Sequence, residues 1–355
     1  MVKVGSSSLA AARDGGVDTD AISRVVEHVD ALWRIGHPTV LVTSGAVAAG
    51  LPTLGLRVRP GDIAGLQVAA AVGQSHLMSH YAREFETRER NVGQILITRE
   101  VLSRREQYLN ARKALTRMLS LGVVPVVNEN DTVVVDELRF GDNDRLAAIV
   151  SHLVGAGLLI LLTDTPGLFS EDPALDEGAR LINAVRHNDE MLLALERQTR
   201  RGELGSGGVS TKVAAAQMAA WSGIPTVIAK ASEPGVAVLA AQGVEVGTWV
   251  APNEPKLSAR KLWIAFGIPS EGRVEIDVGA ARAIVGGGRS LLAVGVSGVV
   301  GDFGAGAAVE VSCDGQVVAK GLVGMGSHEI SESRGQHTSA IGGEVIHRDD
   351  LVVLS

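Results

Sequence analysis

The sequence predicts an α/β protein, a layered sheet of buried parallel strands, with a small β-rich domain at its C-terminal end. Two observations carry the prediction. Up to about residue 265, short β-branched runs alternate with alanine- and leucine-rich stretches of helical period, as strand–helix–strand units require. Beyond Ser270 the helical stretches give way to brief strand-like pieces divided by glycine.

In chain order, the expected parallel strands are Met1–Val4, Thr39–Val42, Val92–Ile97, Val123–Val127, Leu158–Leu162 and Thr226–Ala229. Each is a near-continuous apolar run, the pattern of strands covered on both faces. The intervening helices are expected over Thr19–Ile35, Ala64–Glu89, Arg104–Leu121 and Ser210–Trp221, with Gly223 as a left-handed cap after the last. Texture changes near Pro252-Asn253-Glu254-Pro255. The division is therefore residues 1–255 for the α/β domain, 256–270 for a linker and 271–355 for the β-rich domain. Strands of the latter are expected at Arg273–Ile276, Gly298–Val300, Ala308–Val311, Val317–Lys320 and Val345–His347, forming a compact barrel.

Bulk composition removes several classes. With 46% hydrophobic and 21% charged residues in 355, the chain can bury a large core and is not disordered. Its single cysteine, Cys313, allows neither an internal disulfide nor a cysteine metal cage, and the expected compartment is the cytoplasm. The start carries no basic-then-apolar leader, although only four residues precede the first glycine, which leaves room for a longer natural start. The longest apolar run, Leu153–Leu162, is half of the ~20 residues that a bilayer span needs. A net charge of −7 disfavours nucleic acid as the main partner.

Three strand ends, a glycine-rich loop and two acid–amide blocks carry candidate chemistry. In Val2-Lys3-Val4-Gly5-Ser6-Ser7 a lysine lies inside a strand that breaks into a polar loop. It is either a surface side chain on an edge strand or an ammonium aimed at an anion held by the following N–H groups. In Leu41–Gly50 a strand ends at Thr43-Ser44-Gly45-Ala46, where Ser44 either caps a helix or joins backbone N–H groups in holding an oxyanion. Thr163 and Asp164 close another apolar strand and suit either a turn or a ribose or amine contact. The stretch Gly202–Ala216 runs from a glycine loop into a helix with Ser210, Thr211 and Lys212 in its first turn. That offers N–H donors, a helix dipole and an ammonium to a phosphate chain, though it matches neither a Walker loop nor a dinucleotide fingerprint. Finally Asn128-Glu129-Asn130-Asp131 and Asp142-Asn143-Asp144 crowd acids and amides that resist burial unless a cation meets them.

Taken in order, Lys3-Val-Gly-Ser-Ser, Thr43-Ser-Gly-Ala, Asn128–Asp131, Gly141–Asp144, Thr163-Asp164 and Gly207–Lys212 resemble the amino-acid kinase superfamily. The resemblance is to the branch that phosphorylates the γ-carboxylate of L-glutamate at the start of proline biosynthesis, and residues 272–347 resemble the PUA domain that bacterial members carry. It implies an αβα sandwich around a mostly parallel sheet. It also implies roles: Lys3 and Lys212 on the phosphoryl group in flight, and Asp144 holding the two ammonium groups. Ser44 with the N–H groups of Gly45 and Ala46 would take carboxylate oxygens, while Asn128, Asp131 and Asn143 would receive glutamate, chiefly its α-ammonium. ATP would be bound by Lys3, Thr163, Asp164 and the run Ser206, Gly207, Gly208, Val209, Ser210, Thr211, Lys212. Mg2+ would be held mainly by phosphates and water, with no protein ligand assigned. Feedback inhibition by proline and a dimer or tetramer are implied as well.

Two rival readings stay open on the residues. Another kinase of the superfamily, acting on aspartate, N-acetylglutamate, carbamate or UMP, shares the motifs; Asp131 and Asn143 speak for a free ammonium, against the acetylated and nucleotide substrates. An RNA-binding role centred on the PUA-like region meets an unfavourable charge: from Glu271 onward six basic side chains against eleven acidic ones leave −5, with Phe303 as the lone aromatic. The basic run Arg99–Arg117 reads as a solvated helix face or subunit contact, Glu196–Gly205 as a mobile loop over the nucleotide, and His76, His80, His152 and His187 as ordinary histidines without zinc spacing.

Overall fold

The structure is a computed structural model that describes residues 1–10, 16–98, 105–133, 143–173, 176, 178–186, 189, 208–254, 257–335 and 344–354. They fall into two compact units that divide after Lys256.

The first unit is built on eight strands: β1 (Val2–Val4), β2 (Leu41–Val42), β3 (Val92–Ile97), β4 (Val124–Glu129), β5 (Leu159–Thr163), β6 (Ala184–Arg186), β7 (Thr226–Lys230) and β8 (Thr248–Ala251). They lie side by side in the order β3-β4-β2-β1-β5-β7-β8-β6. All neighbours are parallel except β7 and β8. β1, β2 and β5 are buried along their length because helices cover both faces. All six expected strands form; β6 and β8 were not expected. β6 has only three residues, two of them exposed, so no apolar run marks it.

Two long helices of this unit begin where a short polar side chain serves an orphan N–H group. Asp18 accepts from Asp20 N ahead of Thr19–Arg34, and Asp62 accepts from Gly65 N at 2.7 Å ahead of Ile63–Glu86. The amphipathic helix Thr19–Arg34 turns Ile22, Val25, Val26 and Val29 into the same core as Val2, Val4, Leu77, Tyr81 and Phe85. The helix Arg105–Ser120 leaves Arg112, Lys113 and Arg117 exposed, which both a solvated face and a subunit contact require. A short helix, Ala46–Gly50, crosses Ile63–Glu86 at very close range. A Cβ on Gly50 would stand 2.0 Å from Ala69 O, and one on Gly73 1.8 Å from Ala46 O. Glycine at both positions is what lets the two backbones touch. Gly223 has the expected left-handed φ, 74°.

The second unit holds β9 (Gly272–Ile276), β10 (Val296–Val300), β11 (Ala308–Cys313), β12 (Gln316–Leu322) and β13 (Leu351–Val353) in the order β10-β9-β11-β12-β13. Helices Val278–Gly287 and Ser327–Ser333 accompany this sheet, and Val274, Val309, Val311, Ile330 and Ile346 share one core. The strand expected at Val345–His347 is instead a single bridge, Ile346 to Leu291, and the true last strand follows a short 3-10 turn. Residues 259–267, expected within a linker, form a helical turn whose Ile264 packs with Val352. Buried Lys320 donates to Ile268 O and, at 3.4 Å, to Ala265 O, holding that turn to the sheet.

Candidate active site

Because β4, β2, β1 and β5 are adjacent and parallel, their carboxyl ends emerge along one edge of the sheet, the edge where open α/β sheets gather ligands. Gly5, Thr43, Asn128 and Thr163 stand there. Two helices, Asn143–Val154 and Gly208–Trp221, pack against each other and bring their first turns to the same edge.

Asp144, 3% exposed in the first turn of the former, is where the charges meet. Its Oδ1 pairs with Lys3 Nζ; its Oδ2 accepts from Thr211 Oγ1 at 2.8 Å and stands 3.7 Å from Lys212 Nζ. Lys212 Nζ also donates to Gly208 O at 3.1 Å. The edge-strand reading of Lys3 falls away. β1 is central, with Lys3 opposite Val42 on one side and Leu161 on the other, so the residue is 3% exposed and its ammonium is paired with Asp144. Burial would push the Asp144 carboxyl up. The Lys3 and Lys212 ammonium groups, helped by hydrogen bonds from Lys3 and Thr211, outweigh burial and hold it below the usual carboxylate range. Two ammonium groups against one carboxylate leave one positive charge, and two helix N-termini add to it. The cluster suits an anion that carries more negative charge than one carboxylate can.

The amide side is equally connected. Asn143 Nδ2 reaches Thr43 O at 2.6 Å, Asn128 Oδ1 at 2.8 Å and Ser44 Oγ at 3.0 Å. Asn128 Nδ2 donates in turn to Gln74 Oε1 at 2.8 Å, and Asn128 Oδ1 accepts from Glu129 N. Two strand ends, a helix start and the middle of the helix Ile63–Glu86 are thus tied by one amide relay. Ser44 caps no helix: the N-cap of Ala46–Gly50 is Gly45, at φ 97° and without a side-chain bond. A small cavity of about 60 Å³ lies beside the relay, bounded by Ser44, Gly45, Ala46, Asn128, Glu129, Asp131, Asn143, Ser6 and Arg59. Burial pushes the Asp131 carboxyl up to about 6, and Arg59 pulls the other way. A larger cavity, about 630 Å³, lies within the second unit beside Asp277, Leu291 and Arg289. It holds none of the expected site residues.

The structure therefore joins Lys3, Asp144 and Lys212 directly and gathers Ser44, Gly45, Ala46, Asn128, Asp131 and Asn143 around one cavity. Thr163 is buried at the end of β5, next to β1, and its hydroxyl donates to the exposed Asp164 at 3.0 Å, a local turn contact. Gly208, Val209, Ser210, Thr211 and Lys212 form the first turn of their helix. Ser206, Gly207, Gly141, Asp142 and the stretch 196–205 lie outside the described residues. Sequence reasoning missed the Thr211–Asp144 bond, the support of Asn128 by Gln74, and Arg59 on the cavity wall. Arg59 sits in the loop 51–61, where nothing in the sequence distinguishes it from a solvated charge.

Comparison with known proteins defines the class first. The amino acid kinase family model matches residues 1–230 and the PUA domain model matches residues 272–343. A UMP kinase from Bacillus anthracis shares the fold at a TM-score of 0.51 and 13% identity, covering 71% of this chain and 95% of that one. The relatives are more specific. "Glutamate 5-kinase" of Frankia casuarinae is 45% identical over 363 residues, covering all of this chain and 96% of the relative. Those of Gloeobacter violaceus and Myxococcus xanthus are each 44% identical, covering all of this chain and 99% and 96% of theirs. The chain belongs to the glutamate 5-kinase branch of the amino acid kinase family.

Proposed function

We propose that this protein transfers the γ-phosphoryl group of ATP to the side-chain carboxylate of L-glutamate, giving γ-glutamyl phosphate and ADP in proline biosynthesis. The observation that supports this most is the Lys3–Asp144–Lys212 cluster standing at the same sheet edge as an acid- and amide-lined cavity of amino-acid chemistry. A carboxylate, with an ordinary pKa near 4.3, is already ionised at neutral pH, so the reaction needs no general base. Its obstacle is the approach of one anion to a more highly charged one. Lys3 and Lys212 answer that obstacle. Asp144 fixes both ammonium groups in advance, and the charge left over grows in value as negative charge spreads over the transferring group.

Ser44 and the N–H groups of Gly45 and Ala46 hold carboxylate oxygens of the substrate, and Asn128 and Asn143 fix the shape of its cavity. Asp131 meets the α-ammonium. The pairing restores charge to a carboxyl that burial has made reluctant to ionise. Thr163, Asp164 and the turn from Gly208 to Lys212 hold the nucleotide, together with Ser206 and Gly207. Among the described residues no group of three His, Cys, Asp or Glu side chains is spaced for a metal. Mg2+ held mainly by phosphate oxygens and water would, when bound, offset part of the phosphate charge. We also propose the cytoplasm as the compartment, on the chain's single cysteine; no described helix is long and apolar enough to cross a membrane.

The reading is tested by ADP release with ATP and Mg2+, comparing L-glutamate, L-aspartate and N-acetylglutamate. The expected order is glutamate far ahead, with the acetylated compound inactive because it brings no ammonium to Asp131. Adding proline tests feedback in the same assay. Equal rates with N-acetylglutamate would overturn the substrate assignment.

A further inference from the structure

We propose that Arg59 receives the α-carboxylate of the substrate and, with Asp131, reads the two opposite charges carried by one α-carbon. The inference rests on the reading of this cavity as the glutamate site and adds a specificity residue to it. L-glutamate brings two carboxylates and one ammonium. The γ-carboxylate goes toward Lys3 and Lys212, which leaves a positive and a negative group bonded to the same carbon and a few ångström apart. A complementary wall must therefore present an acid and a base side by side.

The cavity presents such a wall. Asp131 and Arg59 both line it, and the guanidinium is close enough to act on the Asp131 carboxyl. Of the other polar side chains on the lining, the Ser6 and Ser44 hydroxyls can donate to a carboxylate but bring no charge to it. Glu129 repels it, Asn143 Nδ2 is engaged by Thr43, Ser44 and Asn128, and Asn128 Nδ2 is engaged by Gln74. Among the described residues Arg59 is the single cationic side chain on the lining. The loop that carries it, between Gly50 and Asp62, is anchored at both ends. One anchor is the glycine crossing of Gly50 with Ala69; the other is the Asp62 cap on Gly65. A guanidinium fork matches a carboxylate in two bonds, which an ammonium does not.

The test compares wild type, Arg59→Ala and Arg59→Lys on two ligands: L-glutamate, and L-isoglutamine, which keeps the ammonium and the γ-carboxylate but replaces the α-carboxylate with a neutral amide. Arg59→Ala should raise the glutamate KM by about 10-fold, the low end for a hydrogen bond to a charged group because Arg59 is exposed. Turnover number and ATP KM should hold. The affinity for isoglutamine, read as KM or as a competitive inhibition constant, should change less than twofold, and Arg59→Lys should recover part of the loss. An unchanged glutamate KM, or equal weakening of both ligands, overturns the assignment of Arg59. If wild type released no ADP with L-glutamate, the substrate reading itself would fall, and that result is distinct from either outcome for Arg59.

Discussion

Replacing Lys212 with alanine separates a chemical role from a structural one. In the structure Asp144 keeps its closest partners without Lys212: Lys3 on Oδ1 and the Thr211 hydroxyl at 2.8 Å on Oδ2. What is lost is an ammonium 3.7 Å from the carboxylate and its bond to Gly208 O at 3.1 Å, in a side chain that is 15% exposed. A hydrogen bond from a charged group stabilises by about 1.5–3 kcal/mol, and the low end, for a side chain still partly in solvent, lowers the Tm of a domain this size by roughly 3–6 °C. The loss in the transition state is larger, because there the ammonium faces charge that develops only during transfer. Removing one preorganised donor of that kind costs about 100- to 1000-fold in rate, or roughly 3–4 kcal/mol. The expected result is a kcat down by at least about 100-fold, a glutamate KM within twofold and a melting curve shifted by a few degrees. Steady-state ADP release and a thermal melt on the same preparation decide it. A kcat within about threefold of wild type would refute the assignment, and so would a kcat loss matched by collapse of the melt.

Other substitutions probe the remaining parts. Lys3→Ala removes the main partner of a carboxylate that is 3% exposed; breaking a buried pair costs about 3–5 kcal/mol, so this variant should lose both activity and much of its thermal stability, and an unshifted melt would contradict the central placement of Lys3. Asp131 carries a carboxyl raised from 3.8 to about 6, so between those values the folded protein holds a proton that the unfolded chain has released. Its contribution to stability therefore falls as pH rises through that window. Asp131→Asn should accordingly melt higher than wild type at pH 7.5 without ligand, the gap closing toward pH 4; a lower melt would reverse the sign. Below about pH 6 protonation of Asp131 should raise the wild-type KM for glutamate, while Asp131→Asn shows a high, pH-independent KM. Gly73→Ala places a Cβ 1.8 Å from Ala46 O, a backbone atom that cannot yield, so the crossing must open. Overpacking of that kind costs about 1–3 kcal/mol and displaces Gly45 and Ala46, and a variant with unchanged Tm and glutamate KM would contradict it.

The sheet was largely legible because buried parallel strands announce themselves as apolar, β-branched runs between helices. The elements that escaped were those without such a run. β6 has one buried residue in three, and Ala46–Gly50 is one turn of small residues whose helical form depends on its fit against Gly73. At the site, acids and amides crowded into Asn128–Asp131 and Asn143–Asp144 stood out because burying them is costly. What sequence could not decide was pairing at a distance. The position of Lys3 in a central strand depends on the strand order, and the Ser44 hydroxyl is turned away from capping by an amide 99 residues on. Arg59 gave no local signal, since its meaning comes from Asp131, which folding alone brings onto the same cavity wall.

The most direct test of the account follows the oxygen atoms. L-glutamate labelled with 18O in its γ-carboxylate is incubated with ATP and Mg2+, the product is trapped with hydroxylamine, and the released phosphate is examined by 31P NMR. If the γ-carboxylate attacks phosphorus, the bridging oxygen leaves with the phosphate when hydroxylamine takes the acyl carbon, so each phosphate carries one glutamate-derived oxygen and γ-glutamyl hydroxamate accumulates in equal amount. Unlabelled phosphate without hydroxamate would mean that water, not glutamate, receives the phosphoryl group, and would contradict the account.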